Sequence, residues 1–131
     1  DGMGKHVAIE TIKLMIRKGI NVKGSKILIL GITFKEDCPD VRNTKVIDIF
    51  EELKNFEINV DIYDPHANNE DVKKEYGIIM ADKLDRYDAI ILAVSHNEFL
   101  KLNIDDLKKN NEAVVYDIKS FLDKNKVDAR L

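Results

Sequence analysis

The chain has 131 residues, 44% apolar and 34% charged, a globular mixture that excludes disorder and collagen-like repeats. That length fits one domain with a buried core. Its 21 Lys and Arg against 24 Asp and Glu give a net charge of −3 with no basic stripe, which argues against nucleic acid and anionic membranes as partners. One cysteine, Cys38, allows no internal disulfide and suits a reducing, cytoplasmic setting. The longest apolar run, Ala89 to Val94, is far short of the ~18 residues of a membrane span. Asp1-Gly2-Met3-Gly4 lacks the basic and apolar regions of a signal peptide, and a start without Met reads as a piece of something longer.

The pattern alternates short apolar runs with amphipathic stretches. Residues Met3 to Lys18 read as a helix, with Ala8, Ile12, Met15 and Ile16 at helical spacing and Ile9 and Leu14 widening the face. Gly19 and Gly24 mark its end. Lys26 to Leu30 is a buried strand, followed by a helix from about Lys45 to Asn55 with Val46, Ile49, Phe50 and Leu53 on one face. Ile58 to Tyr63 is a second strand, stopped by Asp64-Pro65. Glu70 to Tyr76 is a polar helix closed by Gly77, and Ile78 to Met80 a short strand. Tyr87 to Val94 is the most apolar strand and hence central. A short helix (Ile104 to Lys109), a strand (Ala113 to Tyr116) and a terminal turn or helix (Phe121 to Lys126) complete the chain. Strands alternating with helices predict an α/β fold: a Rossmann-like, doubly wound, mostly parallel sheet preceded by a separate helix.

Such sheets bind ligands beyond the carboxyl ends of their strands. Four loops lie there: Gly31 to Arg42, Tyr63 to His66, Ser95 to Phe99, and Asp117 to Ser120. The first lacks the G-x-G-x-x-G of a dinucleotide turn and has only Gly31. It offers side chains instead: aromatic Phe34, the point cation Lys35 and the forked cation Arg42, a set suited to a base or sugar with phosphate. Against this stands a plainer reading, with Phe34 packed under the sheet and both cations solvated. Lys119 could reach the same crevice. Asp64 reads as the start of a turn fixed by Pro65. Ser95 and His96 are adjacent and point to opposite faces, and no G-x-S-x-G accompanies them, so a hydrolase is disfavoured. His6, His66 and His96 come from separate elements without metal-ligand spacing, and no metal is expected. The acids flanking Cys38 disfavour a thiolate there, which makes it a poor nucleophile.

Together these residues are more specific than any one. The run from Gly31 to Val46, GITFKEDCPDVRNTKV, closely resembles the opening of the C-terminal UDP-binding domain of the UDP-glucose/GDP-mannose dehydrogenase family. Tyr63-Asp64-Pro65, Asp88 to Val94 and Val115 to Lys119 follow in that family's order, and Asp1 to Gly4 looks like the start of its long linking helix. The Phe-Lys…Cys-Pro-Asp-x-Arg-Asn-Thr form is most similar to the branch acting on UDP-N-acetylhexosamines. The resemblance implies that residues 1–23 are part of an inter-domain linking and dimerisation helix and 24–131 a UDP-sugar-binding domain. It implies oxidation of a UDP-sugar to its uronate for polysaccharide biosynthesis, in two NAD-dependent steps. The NAD would be bound mainly by an N-terminal domain of the same protein, and the catalytic cysteine would lie upstream. Cys38 does not match that cysteine, so this stretch alone would not turn over. Phe34, Lys35 and Lys119 would contact the UDP-sugar and Arg42 the NAD, in a homodimer. A stand-alone nucleotide-binding or regulatory module is the alternative. A response-regulator fold would need paired acids after the first strand, where Leu30-Gly31 stand.

Overall fold

The structure, a computed structural model, describes residues 2–131; Asp1, with which the linking segment was expected to open, lies outside them. Five parallel strands run in the order β2-β1-β3-β4-β5: β1 (Lys26–Leu30), β2 (Asn59–Tyr63), β3 (Ala89–Leu92), β4 (Val114–Asp117) and β5 (Ala129–Arg130). Four α-helices accompany them: α1 (Met3–Arg17), α2 (Val46–Asn55), α3 (Asn69–Tyr76) and α4 (Ile104–Leu107). The expected α/β architecture is present, with all strand pairs parallel and β3 at the centre.

The strands carry continuous apolar runs because both faces of the sheet are covered. Ile27, Ile29, Ile91, Val114 and Tyr116 face α1, α2 and α3, through Val7, Ile12, Met15, Ile49, Leu53 and Val72. Leu28, Leu30, Ile90, Leu92 and Val115 face Tyr87, Phe99, Ile104, Leu107 and Leu122. Right-handed crossovers put α2 and α3 on one face as the chain moves outward, and the later turns on the other as it returns. That leaves β3 and β4 bare on the first face, and α1 fills the space. Gly4 permits the close approach of α1 to α2, since a Cβ there would stand 2.6 Å from the Cβ of Asp48.

Several expectations are corrected. Ile78 to Met80 is not a strand. The segment passes beside β2 with a single bond, from the Ala81 N–H to the Ile62 carbonyl, and Ile79 is 82% exposed. With no further ladder bond and one face in water, three apolar residues do not make a strand. Ile16 is not on the buried face of α1 but 61% exposed, because Met15 already occupies the core position. β5 carries no apolar pattern. Its two-residue ladder to β4 is reinforced by a side chain: Asp128 accepts the Val115 N–H at 2.7 Å and the Lys18 ammonium at 2.7 Å. The segment expected as a terminal turn or helix is a 3-10 turn at Lys124–Lys126, as one of those two readings has it.

β1 is the point where strand order reverses, with β2 on one side and β3 on the other. Ligands bind such sheets in the crevice at this place, which is framed by the loops after β1 and β3.

Candidate functional site

At the crevice the chain leaves β1 through Gly31 at φ +99, where a Cβ would stand 2.5 Å from that of Val94. This glycine therefore lets the first and third loops touch. The next N–H groups are the ones a Rossmann turn offers to a pyrophosphate. Here Ile32 and Thr33 both donate to Oδ2 of Asp64, at 2.7 and 3.1 Å. A buried carboxylate occupies the anion's place, so the first loop cannot hold a dinucleotide in the usual manner.

Asp64 is more than the turn residue expected from the sequence. Its Oδ1 accepts the His66 and Ala67 N–H groups at 2.8 and 3.2 Å, which is the turn. Its Oδ2 also lies 3.0 Å from Nε2 of buried His96, which ties in the loop after β3. Asp117 does the same for the fourth loop. It is fully buried and accepts from the N–H groups of Lys119, Phe121 and Leu122 at 3.0, 2.7 and 2.7 Å. Each buried charge is matched by several donors, as burial of a carboxylate requires.

On this frame the exposed side chains converge. A cavity of about 190 Å³ is lined by Phe34, Lys35, Lys45 and Lys119, with Thr33, Asn43 and Thr44 as polar neighbours and Met3, Val94 and Ile118 as apolar ones. Three of the residues read from the sequence, Phe34, Lys35 and Lys119, thus come together. Phe34 is 61% exposed, which removes the reading in which it packs under the sheet. Among the described residues the walls carry three lysines and no carboxylate, on a chain of net charge −3. Sequence reasoning missed Lys45 and Met3. Lys45 could have been found as the residue opening α2 onto the crevice, whereas Met3 enters through the packing of α1, which no local motif reports.

Arg42 does not line this cavity. It lies beyond Phe34 and grips Asp40 with two bonds, Nε to Oδ1 at 3.0 Å and an Nη2 bond to Oδ2 at 3.1 Å. That guanidinium holds the Asp40 carboxyl down at about 2. The fork is 75% exposed.

Asp37, His66 and His96 place ligand-type atoms within 4.8 Å of one another, although they come from three loops. Both ring nitrogens of His96 are in use: Nδ1 accepts the Asp37 N–H at 2.9 Å, and Nε2 faces Asp64. His66 pairs with Glu98 at 2.9 Å. That bond raises the His66 pKa and lowers that of Glu98. The cluster is a hydrogen-bonded clasp rather than a vacant ligand set. His96 directs none of its bonds to Ser95, and Cys38 is a half-buried free thiol.

Residues 28–124 match the UDP-binding domain of the UDP-glucose/GDP-mannose dehydrogenase family. The chain belongs to this family. Among dehydrogenases similar to it, the UDP-N-acetyl-D-glucosamine 6-dehydrogenase of Salmonella typhi is 47% identical over the whole chain, which covers 32% of that relative. The UDP-N-acetyl-D-mannosamine dehydrogenase of Methanococcus aeolicus is 32% identical over 95% of the chain and 28% of its own length. In fold, the chain matches a solved NDP-N-acetyl-D-galactosaminuronic acid dehydrogenase from Methanosarcina mazei Go1. The TM-score is 0.84 at 23% identity, over 95% of this chain and 27% of that one. The chain spans about a third of the length of the curated relatives it matches. Among the described residues, no helix is long and apolar enough to cross a membrane.

Proposed function

We propose that this UDP-binding domain serves an NAD-dependent nucleotide-sugar 6-dehydrogenase, and that it takes a UDP-N-acetylhexosamine for oxidation to the uronate in cytoplasmic polysaccharide biosynthesis. The observation that carries the reading is the cavity beside Phe34, where three lysines line the walls and no carboxylate does so among the described residues. An exposed aromatic face suits a base or sugar ring, and clustered ammonium groups suit a diphosphate. The identity to UDP-N-acetylhexosamine dehydrogenases supports the branch.

Residues 24–131 form the nucleotide-sugar-binding unit in this reading, and residues 1–23 belong to a helix that links it to an NAD-binding domain and pairs two copies. The cavity is smaller than the ~300–1,000 Å³ of a complete ligand pocket, which suits a site that a second domain closes. NAD supplies hydride acceptance when bound. This chain's share in holding it is Arg42, whose exposed fork must exchange Asp40 for a cofactor anion. The amide groups after β1 take no part, because Asp64 consumes them.

Calorimetric titration of UDP into the chain tests the reading. Saturable binding that Lys35→Ala and Lys119→Ala each weaken supports it. Heat unchanged by either substitution, or no binding in a protein carrying both domains, overturns it.

A further inference from the structure

Phe34 and Lys35 project from a loop with no secondary structure of its own, and a buried imidazole fixes that loop. His96 is fully buried between Phe99, at 5.3 Å between ring centroids, and His66, at 4.4 Å. Its Nδ1 accepts the Asp37 N–H, so the ring proton sits on Nε2, toward Oδ2 of Asp64. Oγ1 of Thr33 stands 3.1 Å from the same Nε2 and donates its own hydrogen to the Lys35 carbonyl at 2.9 Å. The imidazole therefore holds the loop at Thr33 and at Asp37, the two positions that bracket Phe34, Lys35 and Glu36.

Asp37 needs that hold. Its φ of +55 is a left-handed conformation uncommon for a residue with a Cβ. Asn97, next to His96 in the chain, secures it a second time. The Asn97 N–H donates to Oδ1 at 3.1 Å and its amide to Oδ2 at 3.0 Å. Joining a buried carboxylate to a backbone N–H requires one group that donates at one end and accepts at the other. Neutral imidazole does so with a rigid ring.

We propose that His96 is a positioning residue for nucleotide recognition: as its neutral Nε2–H form it closes the Thr33–Asp37 loop so that Phe34 and Lys35 are aimed into the lysine-lined cavity. The proposal rests on the reading of that cavity as the nucleotide subsite. Its energetic content is preorganisation: a loop that adopts the binding shape only a tenth of the time binds about tenfold more weakly.

The test uses two readouts on the 131-residue chain. Nitrogen NMR of the His96 ring should show Nε2 protonated and Nδ1 bare, and the Lys35 and Asp37 amide resonances should report the closed loop. His96→Ala should displace those amides and weaken UDP binding about tenfold at temperatures well below unfolding. His96→Asn places an acceptor where Nδ1 stood, so it should restore the Asp37 amide and bring UDP affinity within about threefold of wild type. A residue with a purely structural role would change the thermal midpoint alone. Amides and UDP affinity unchanged by both substitutions overturn the proposal, as does a ring protonated on Nδ1. If His96→Ala does not fold, the Asn variant and the ring tautomer decide. If this chain takes up no UDP, affinity is measured in a protein carrying both domains, where no binding overturns the reading of the cavity; loop amides that move with Ala and return with Asn still uphold the positioning role, and amides that stay put overturn it.

Discussion

Oδ2 of Asp64 and Nε2 of His96 lie 3.0 Å apart, both side chains fully buried, at the point where three strand ends meet. The same oxygen accepts two N–H groups after β1, and its neighbour accepts two after β2. One carboxylate thus fixes three loops at once. It stands where a dinucleotide-binding sheet would present N–H groups to phosphate, so anion recognition here passes from the backbone to lysine side chains.

Removing that carboxylate leaves four backbone N–H groups and the imidazole without their acceptor. Asp64→Ala should lower the free energy of unfolding by about 3 kcal/mol or more, since each buried donor left without an acceptor costs about 1–3 kcal/mol. Asp64→Asn, with one carbonyl oxygen left, should cost less. Urea unfolding measures both, and a loss under about 1 kcal/mol for the alanine variant would show that water takes over the abandoned donors.

Gly31→Ala combines a left-handed backbone with a collision. The φ of +99 disfavours any Cβ, and the new atom would meet Val94 at 2.5 Å. Strain and overpacking together should cost roughly 2–4 kcal/mol. Val94→Gly in the same chain removes the Cβ and Cγ2 that the new atom would meet, leaving only the backbone nitrogen at 2.9 Å, so the double variant should recover part of the loss relative to Val94→Gly alone. Full recovery would mean that the backbone conformation costs nothing.

The sequence made the layers legible because apolar runs of strand length can be covered on both faces only in a sheet of this kind. Lys26 to Leu30 matches its strand to the residue, and Gly77 closes α3 in the left-handed conformation expected of it. Ile78 to Met80 misled because an apolar triplet does not reveal whether a neighbour pairs with it. β5 was invisible because two residues carry no periodicity, and what pins them, Asp128 and the Arg130 bond to the Leu122 carbonyl, follows no pattern in the sequence. Within the site, Phe34, Lys35 and Lys119 were legible from their loops. The Asp64–His96 link was not, since 32 residues separate the pair and neither lies in a spacing motif.

Helix α1 offers a test of pairing between copies. Ile12 is 5% exposed and belongs to the domain's own core, so a charge there would unfold the chain instead of probing assembly. Ile16, at 61% exposed, is the better probe. If α1 pairs two copies, the chain should sediment as a dimer at micromolar concentration. Ile16→Asp should then shift it to monomer with little change in thermal midpoint. A monomeric wild type would confine α1 to its packing role here.

The His66–Glu98 pair sets a pH dependence whose sign can be worked out. Its hydrogen bond to Glu98 raises the His66 pKa above the ordinary 6.5, so this contribution to stability is complete below about 6.5 and is lost as pH rises through the raised value. Glu98 is lowered from 4.5, chiefly by the same bond, so its contribution is complete above about 4.5 and is lost as pH falls through the lowered value. Wild type should therefore exceed Glu98→Gln in stability most clearly between those limits. Proton NMR of His66 should show its pKa falling in that variant. An unchanged His66 titration would mean that the pair is open in solution.

Lys35 and Arg42 line different cavities that share Phe34, and their environments assign them different anions. Lys35 lines a cavity whose described walls carry no carboxylate, so its ammonium adds attraction for a diphosphate there. Arg42 starts from a bidentate pair with Asp40, and any new partner must outcompete that carboxylate. A forked cation paired through two bonds exchanges its partner most readily for another anion that accepts two bonds, such as a cofactor phosphate. In a protein carrying both domains, Lys35→Ala should reduce kcat/KM for the UDP-sugar by roughly ten- to a hundredfold, the equivalent of about 1.5–3 kcal/mol for a charge-assisted hydrogen bond. Its effect on the KM for NAD should be small. Arg42→Ala should reverse that bias. Asp40→Ala, which frees the guanidinium, should leave UDP-sugar kinetics unchanged and tighten NAD. Steady-state kinetics with each substrate varied in turn separates the cases. A Lys35→Ala value within twofold of wild type would return Lys35 to the solvated surface.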